Sequence, residues 1–224
     1  MAAGRGSVQN RSMIDAPTPR LRGVLHQWAL VAAVPAGIVL VSVADGTRAR
    51  LATCVYAIAL ASMLGASALY HRVHWRTPRR QAWARRLDHA MIFVFIAGTY
   101  TPFALLSFDG WVPAVVLASV WAGAACGLIV NLAWIDAPRW VIAPAYLLVG
   151  WVGIVAAPQL FGAVGVAGAV LLIVGGALYT AGALTYATRW PNPFPRTFGF
   201  HEVFHVLVTV AVAVQLVAVY LVAA

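Results

Sequence analysis

The chain is written in long apolar runs separated by short polar joints. Residues 51–70, 90–108, 110–135, 140–188 and 206–224 contain no Asp, Glu, Lys or Arg. A helix that crosses a bilayer needs about 20 apolar residues, so 140–188 is long enough for two. The joints carry turn formers: Asp45-Gly46, Asp109-Gly110, Asp136 to Pro138, Pro158 with Gly162, and Pro191 through Pro195. This pattern predicts an all-α fold, an integral membrane bundle of seven transmembrane helices. Their expected positions are roughly 24–44, 49–71, 88–107, 111–132, 139–157, 162–186 and 199–222. Residues 1–22 are polar and carry Arg5, Arg11, Arg20 and Arg22 with Pro17 and Pro19. They read as a disordered cytoplasmic tail ahead of one transmembrane domain over 23–224. The pattern shows no internal repeat and no second domain.

Composition agrees with the pattern. With 62% hydrophobic and 9% charged residues, a soluble molecule would lack polar groups to cover its surface, whereas lipid requires an apolar one. The charge adds a direction. All fifteen basic residues are arginines, and they flank the spans instead of forming a stripe on a soluble domain, which argues against a nucleic-acid partner. With the N-terminus inside, thirteen of them fall on the cytoplasmic side and two, Arg48 and Arg50, on the other. The positive-inside bias therefore predicts a cytoplasmic N-terminus and an extracytoplasmic C-terminus in a multi-pass protein of the cell inner (plasma) membrane. Cys54 and Cys126 lie inside apolar runs without partners at metal-site spacing, and read as small buried hydrophobes.

Few ionisable groups lie at or inside the spans: His71, Asp88, His89, His201, Glu202 and His205, with His26 and His74 at edges. Such groups are costly in a membrane and point to function. In the predicted topology the second helix ends at His71, the third begins at Asp88, and His201 and His205 occupy the first two turns of the seventh. All four arrive at one depth, near the cytoplasmic boundary. His201 and His205, four apart, project from one helical face, as do Ser67 and His71. Three neutral histidines with a position open to water form the ligand set of a catalytic zinc site, and Asp88 is placed to serve that water as acceptor or general base. A lone boundary histidine is more often interfacial, and that reading is kept for His74, in the arginine-rich loop, and for His89, a quarter-turn from Asp88. Gly98 to Pro102 reads as a kink in the third helix, Gln215 as a bond to a neighbouring helix, and the glycines around 150–182 as close helix packing. His201-Glu202-Val203-Phe204-His205 also matches the HExxH metalloprotease pattern, in which Glu202 would be the base.

Three motifs then carry a resemblance: Ser67-Ala68-Leu69-Tyr70-His71, Asp88-His89 leading into Ile96 to Phe103, and Gly199-Phe200-His201-Glu202-Val203-Phe204-His205. From about residue 22 the chain resembles the hemolysin III family, the bacterial branch of the progestin and adiponectin receptor group. That group is part of a superfamily of seven-helix metal-dependent membrane hydrolases that includes alkaline ceramidases. The resemblance implies zinc on His71, His201 and His205, Asp88 in contact with the water there, and Ser67 nearby. Glu202 is outside the shared pattern, which weakens the protease reading. Hormone reception is not implied, because the N-terminal tail is short.

The expected function is a zinc-dependent hydrolase of a lipid amide or ester bond, with a membrane lipid as substrate or ligand, Asp88 and Ser67 as catalytic candidates and zinc as cofactor. The alternative is a non-enzymatic membrane-homeostasis or sensing protein with structural zinc. A cytolytic protein and a membrane metalloprotease are minor readings.

Overall fold

A computed structural model describes residues 19–134 and 137–224. Among these residues the fold is helical, without strands: α1 (Val24–Val43), α2 (Gly46–Arg72), α3 (Pro78–Leu106), α4 (Val112–Ala133), α5 (Arg139–Gly150), a 3-10 turn (Val152–Ala156), α6 (Ala157–Thr188) and α7 (Phe200–Ala223). Every helix exposes large apolar side chains, for example Ile38, Ile58, Trp83, Ile129, Leu148, Val166 and Val217. The buried core is built from Tyr56, Leu60 and Leu64 of α2, Phe95 and Phe103 of α3, Val116 of α4, and Val208, Val212 and Val219 of α7. An apolar exterior around an equally apolar interior is the construction of a multi-pass membrane protein. Gly98 of α3 lies where a side chain would collide with Ala59, so its lack of one lets α2 and α3 approach closely.

Six stretches are long and apolar enough to cross a membrane, not the seven expected: α1, α2, α3, α4, the 49-residue stretch Trp140–Thr188, and α7. The helix expected at 139–157 ends at Gly150, after 12 residues. The turn expected at Pro158 and Gly162 is not there either. Pro158 sits in the first turn of α6, where its missing N–H costs nothing. The break lies instead at Gly165, with φ 66° and ψ 173°, a backbone conformation that side chains with a Cβ rarely adopt.

The contacts around Gly165 describe a hairpin. Trp151 Nε1 donates to Thr180 Oγ1 at 3.2 Å, and Tyr146 and Tyr186 both bond to His89. The midpoint of each pair falls at Gly165 or Val166, so the chain doubles back there. At the far end of the bundle Gln159 Oε1 accepts from the Asp109 backbone N–H at 3.1 Å. A second set of contacts fixes α1 against α7. Leu21 N–H donates to Thr197 O at 3.2 Å, ahead of the two helices, and Asp45 N–H donates to Ala223 O at 2.9 Å, where both end. These helices therefore run parallel, and Leu21 and Ala223 lie at opposite ends of the bundle.

One helix boundary moved. The third helix was expected from residue 88 but starts at Pro78, with Thr77 accepting from Arg80 N–H at 3.4 Å. Apolarity marks where a helix enters lipid, not where it begins, and the arginine-rich segment continues α3 outward. Of the expected tail, residues 1–18 lie outside the described residues, while Arg20 and Leu21 bond to Arg196 and Thr197. Cys54 is partly buried, but Cys126 is exposed on α4, contrary to the reading of both as buried.

Candidate metal centre

Four helices meet at the end of the bundle where α1 and α7 begin. His71 is in the last turn of α2, and Asp88 lies about three turns into α3. His201 and His205 lie on successive turns of α7. Asp88, His201 and His205 are buried, as is Ser67, one turn before His71. His71 Nε2 and His201 Nε2 are 3.1 Å apart, and ligand nitrogens of His71, His201 and His205 all lie within 4.8 Å of one another. Zinc–nitrogen bonds of about 2.0–2.1 Å in a tetrahedron put ligand nitrogens roughly 3.3 Å apart. The His71–His201 pair already has that separation, and small side-chain rotations would bring His205 to it. The donor set thus fits a zinc ion. The 3.1 Å approach equally serves an N–H···N hydrogen bond when no ion is bound.

The carboxylate stands beside this cluster. Asp88 Oδ2 is 3.8 Å from His71 Nε2 and 3.4 Å from His89 Nδ1. The Ser67 hydroxyl neighbours Asp88 and is 2.8 Å from His26 Nδ1.

The structure gives His89 and His26 larger parts than the sequence did. His89 Nδ1 is 2.9 Å from the Arg85 carbonyl, which can only accept, so Nδ1 carries the proton. In the neutral ring, Nε2 then accepts from Tyr186 Oη at 3.2 Å. His26 is buried and stacks on His205. The available signal was depth: His26 lies in the first turn of α1, which starts at the same end as α7. His74 is exposed in the loop after α2 and is not one of the three clustered histidines.

Glu202 faces away from the histidines in chemistry if not in sequence. Its Oε1 pairs with Arg22 Nε at 2.5 Å and its Oε2 accepts from the Gly199 backbone N–H at 2.8 Å. Both oxygens are thus used in capping α7 and in fastening the segment before α1. This removes the ground for Glu202 as the base of a metalloprotease.

A cavity of about 420 Å³ opens from the cluster into the bundle. His26, Ser67, Asp88, His89, His201 and His205 line one end, and Phe103 and Phe108 the other. Asp88 and Phe103 are separated by about 22 Å of α3. Between them the wall is mostly apolar, with Ile92, Phe95, Leu172, Phe204 and Val208.

A family model described as Haemolysin-III related matches residues 14–216. The chain belongs to this family. It is 32% identical over 191 residues to Hemolysin-3 of Bacillus cereus, covering 83% of this chain and 82% of that one. It is also 36% identical over 100 residues to the Hemolysin-3 homolog of Bacillus subtilis (strain 168), covering 45% and 47%. The haemolysin-III match spans the whole histidine cluster, from His26 to His205.

Proposed function

We propose that this haemolysin-III family member is a zinc-dependent hydrolase of a lipid amide or ester bond, residing in the plasma membrane. The observation that carries the reading is the meeting of a three-histidine cluster and a buried carboxylate at the mouth of a long apolar cavity. His71, His201 and His205 would hold the ion. Zinc there would polarise the scissile carbonyl and make water nucleophilic near neutral pH. Asp88 takes the proton of the attacking water at a carboxylate oxygen and returns it to the leaving amine or alcohol. Ser67, bonded to His26, stands beside that carboxylate. The apolar wall takes the acyl chain and keeps bulk water from the reacting bond.

The orientation belongs to the same proposal. The arginine bias supports a cytoplasmic site, and the two arms of the Gly165 hairpin each crossing the bilayer would account for the parallel α1 and α7. A structural zinc is the second reading, and a closed fourth coordination position would favour it. The cytolytic reading draws on the relatives' names alone.

The test is zinc analysis of the purified protein together with hydrolysis assays on long-chain lipid amides and esters. The expected outcome is about one zinc per chain and turnover that disappears with a chelator and returns with zinc. Zinc-loaded protein that hydrolyses neither class would leave the structural reading in its place.

A further inference from the structure

Within the apolar cavity lies a group of polar atoms that the hydrolytic site does not use. Gln215 is 5% exposed and lines the cavity. Its Oε1 is buried and has no hydrogen-bond partner among the described residues. The sequence reading of Gln215 as a bond to a neighbouring helix is therefore not met at this oxygen. The Tyr179 hydroxyl, also on the cavity wall, is buried without a partner as well. Unsatisfied polar groups are costly, more so at membrane depth. Their side chains are nonetheless held in position.

The packing puts the two on neighbouring turns. The Gln215 amide rests on Gly175 of α6, so closely that a Cβ there would come within 2.6 Å of Nε2. Gly175 and Tyr179 are four apart, so Tyr179 stands on the same face about one turn, roughly 6 Å, further along. Gln215 itself is about 15 Å along α7 from His205. The pair is thus well inside the cavity and remote from the metal centre.

We propose that Gln215 and Tyr179 form a polar subsite for a hydroxyl group carried part-way along the acyl chain of the ligand. The chemistry selects a hydroxyl over a carbonyl. Gln215 Oε1 is an acceptor and needs a donor, and the Tyr179 O–H can donate to the same ligand oxygen. A hydroxyl satisfies both at once. An unsubstituted chain would leave both unpaired, and a cavity built to bond a hydroxyl discriminates strongly against the analogue lacking it. This rests on the reading of the cavity as the lipid site, and goes beyond it in naming which lipid.

The experiment measures binding, not turnover, to the purified full chain in detergent micelles. The probes are stearic acid and a hydroxystearic acid with its hydroxyl at mid-chain. Wild-type protein should bind the hydroxy acid about ten-fold more tightly, the equilibrium equivalent of one well-made hydrogen bond. Gln215→Leu should lose that preference while still binding stearic acid. It should also keep or raise the thermal stability, since it removes an unsatisfied group. Tyr179→Phe, a smaller change, should reduce the preference in part. Equal binding of both acids by wild type would overturn the subsite and leave the lipid cavity standing. A preference that survives both substitutions would overturn it too. If neither acid binds, the lipid reading of the cavity falls and the subsite with it.

Discussion

His26 and His205 lie face to face, with ring centroids 3.8 Å apart and planes 9° from parallel. The stack links α1 to the histidine pair of α7, and the His26–Ser67 bond carries the link on to α2. His26→Ala would leave His205 without its flat support. We expect zinc to bind about ten-fold more weakly in this variant, the scale of losing an outer-shell partner. His71→Ala, His201→Ala and His205→Ala should lose zinc almost entirely, and His74→Ala should behave as wild type. Competition against a chromogenic chelator measures all five, and unchanged affinity in His26→Ala would show the stack to be incidental.

Gly23 presses on the cluster from another side. Its φ is 76°, and a Cβ there would overlap the Cβ of His71. Gly46 has a similar φ of 74° with nothing within 4 Å of the added Cβ. Gly46→Ala should therefore cost only the left-handed strain, about 1–2 kcal/mol, and keep zinc. Gly23→Ala should cost more and lower zinc affinity, because His71 has to move. Thermal melting and zinc titration of the two variants make the comparison, and equal effects would remove Gly23 from the support of the site.

Asp88 and Glu202 are assigned opposite roles. Asp88→Asn keeps three neutral histidines, so saturating zinc should restore occupancy, yet the amide cannot take a proton. Hydrolysis should fall by about 10²–10⁴-fold. Glu202→Gln should leave hydrolysis per folded molecule near wild type but weaken the charged bond to Arg22, at about 1.5–3 kcal/mol of stability. The reverse pattern in activity assays would restore the metalloprotease reading.

Topology gives a test without metal. A reporter after Ala224 should be extracytoplasmic and one inserted at Arg76 cytoplasmic. Both on one side would mean that the Trp140–Thr188 hairpin does not cross twice.

The polar groups His71, Asp88, His201 and His205 were legible because depth along a spanning helix is a linear quantity. Counting from the charged ends places each residue, and the i, i+4 spacing places His201 and His205 on one face. His26 was harder to read, because one histidine at a span edge carries no sign of which neighbour it will meet. Glu202 was ambiguous for a similar reason. HExxH describes a helix face but not which groups from other helices reach it, and Arg22 and the Gly199 N–H reached Glu202 first. The position of the hairpin's turn eluded the pattern because Pro158 and Gly162 both punctuate an apolar run as well as Gly165 does.

What the sequence determined by itself is what hydrophobicity and charge decide locally: helices, a membrane environment, the arginine bias, and a shared depth for the chemical groups. These follow from each segment's own free energy of transfer and its backbone hydrogen bonding. The tertiary structure alone decided which side chains touch. Lateral packing of α1 against α7 set the His26–His205 stack, and α6 against α7 set Gln215 on Gly175, one turn from the unpartnered Tyr179 hydroxyl. Such contacts depend on the rotation and spacing of helices far apart in the chain, and no single segment encodes them.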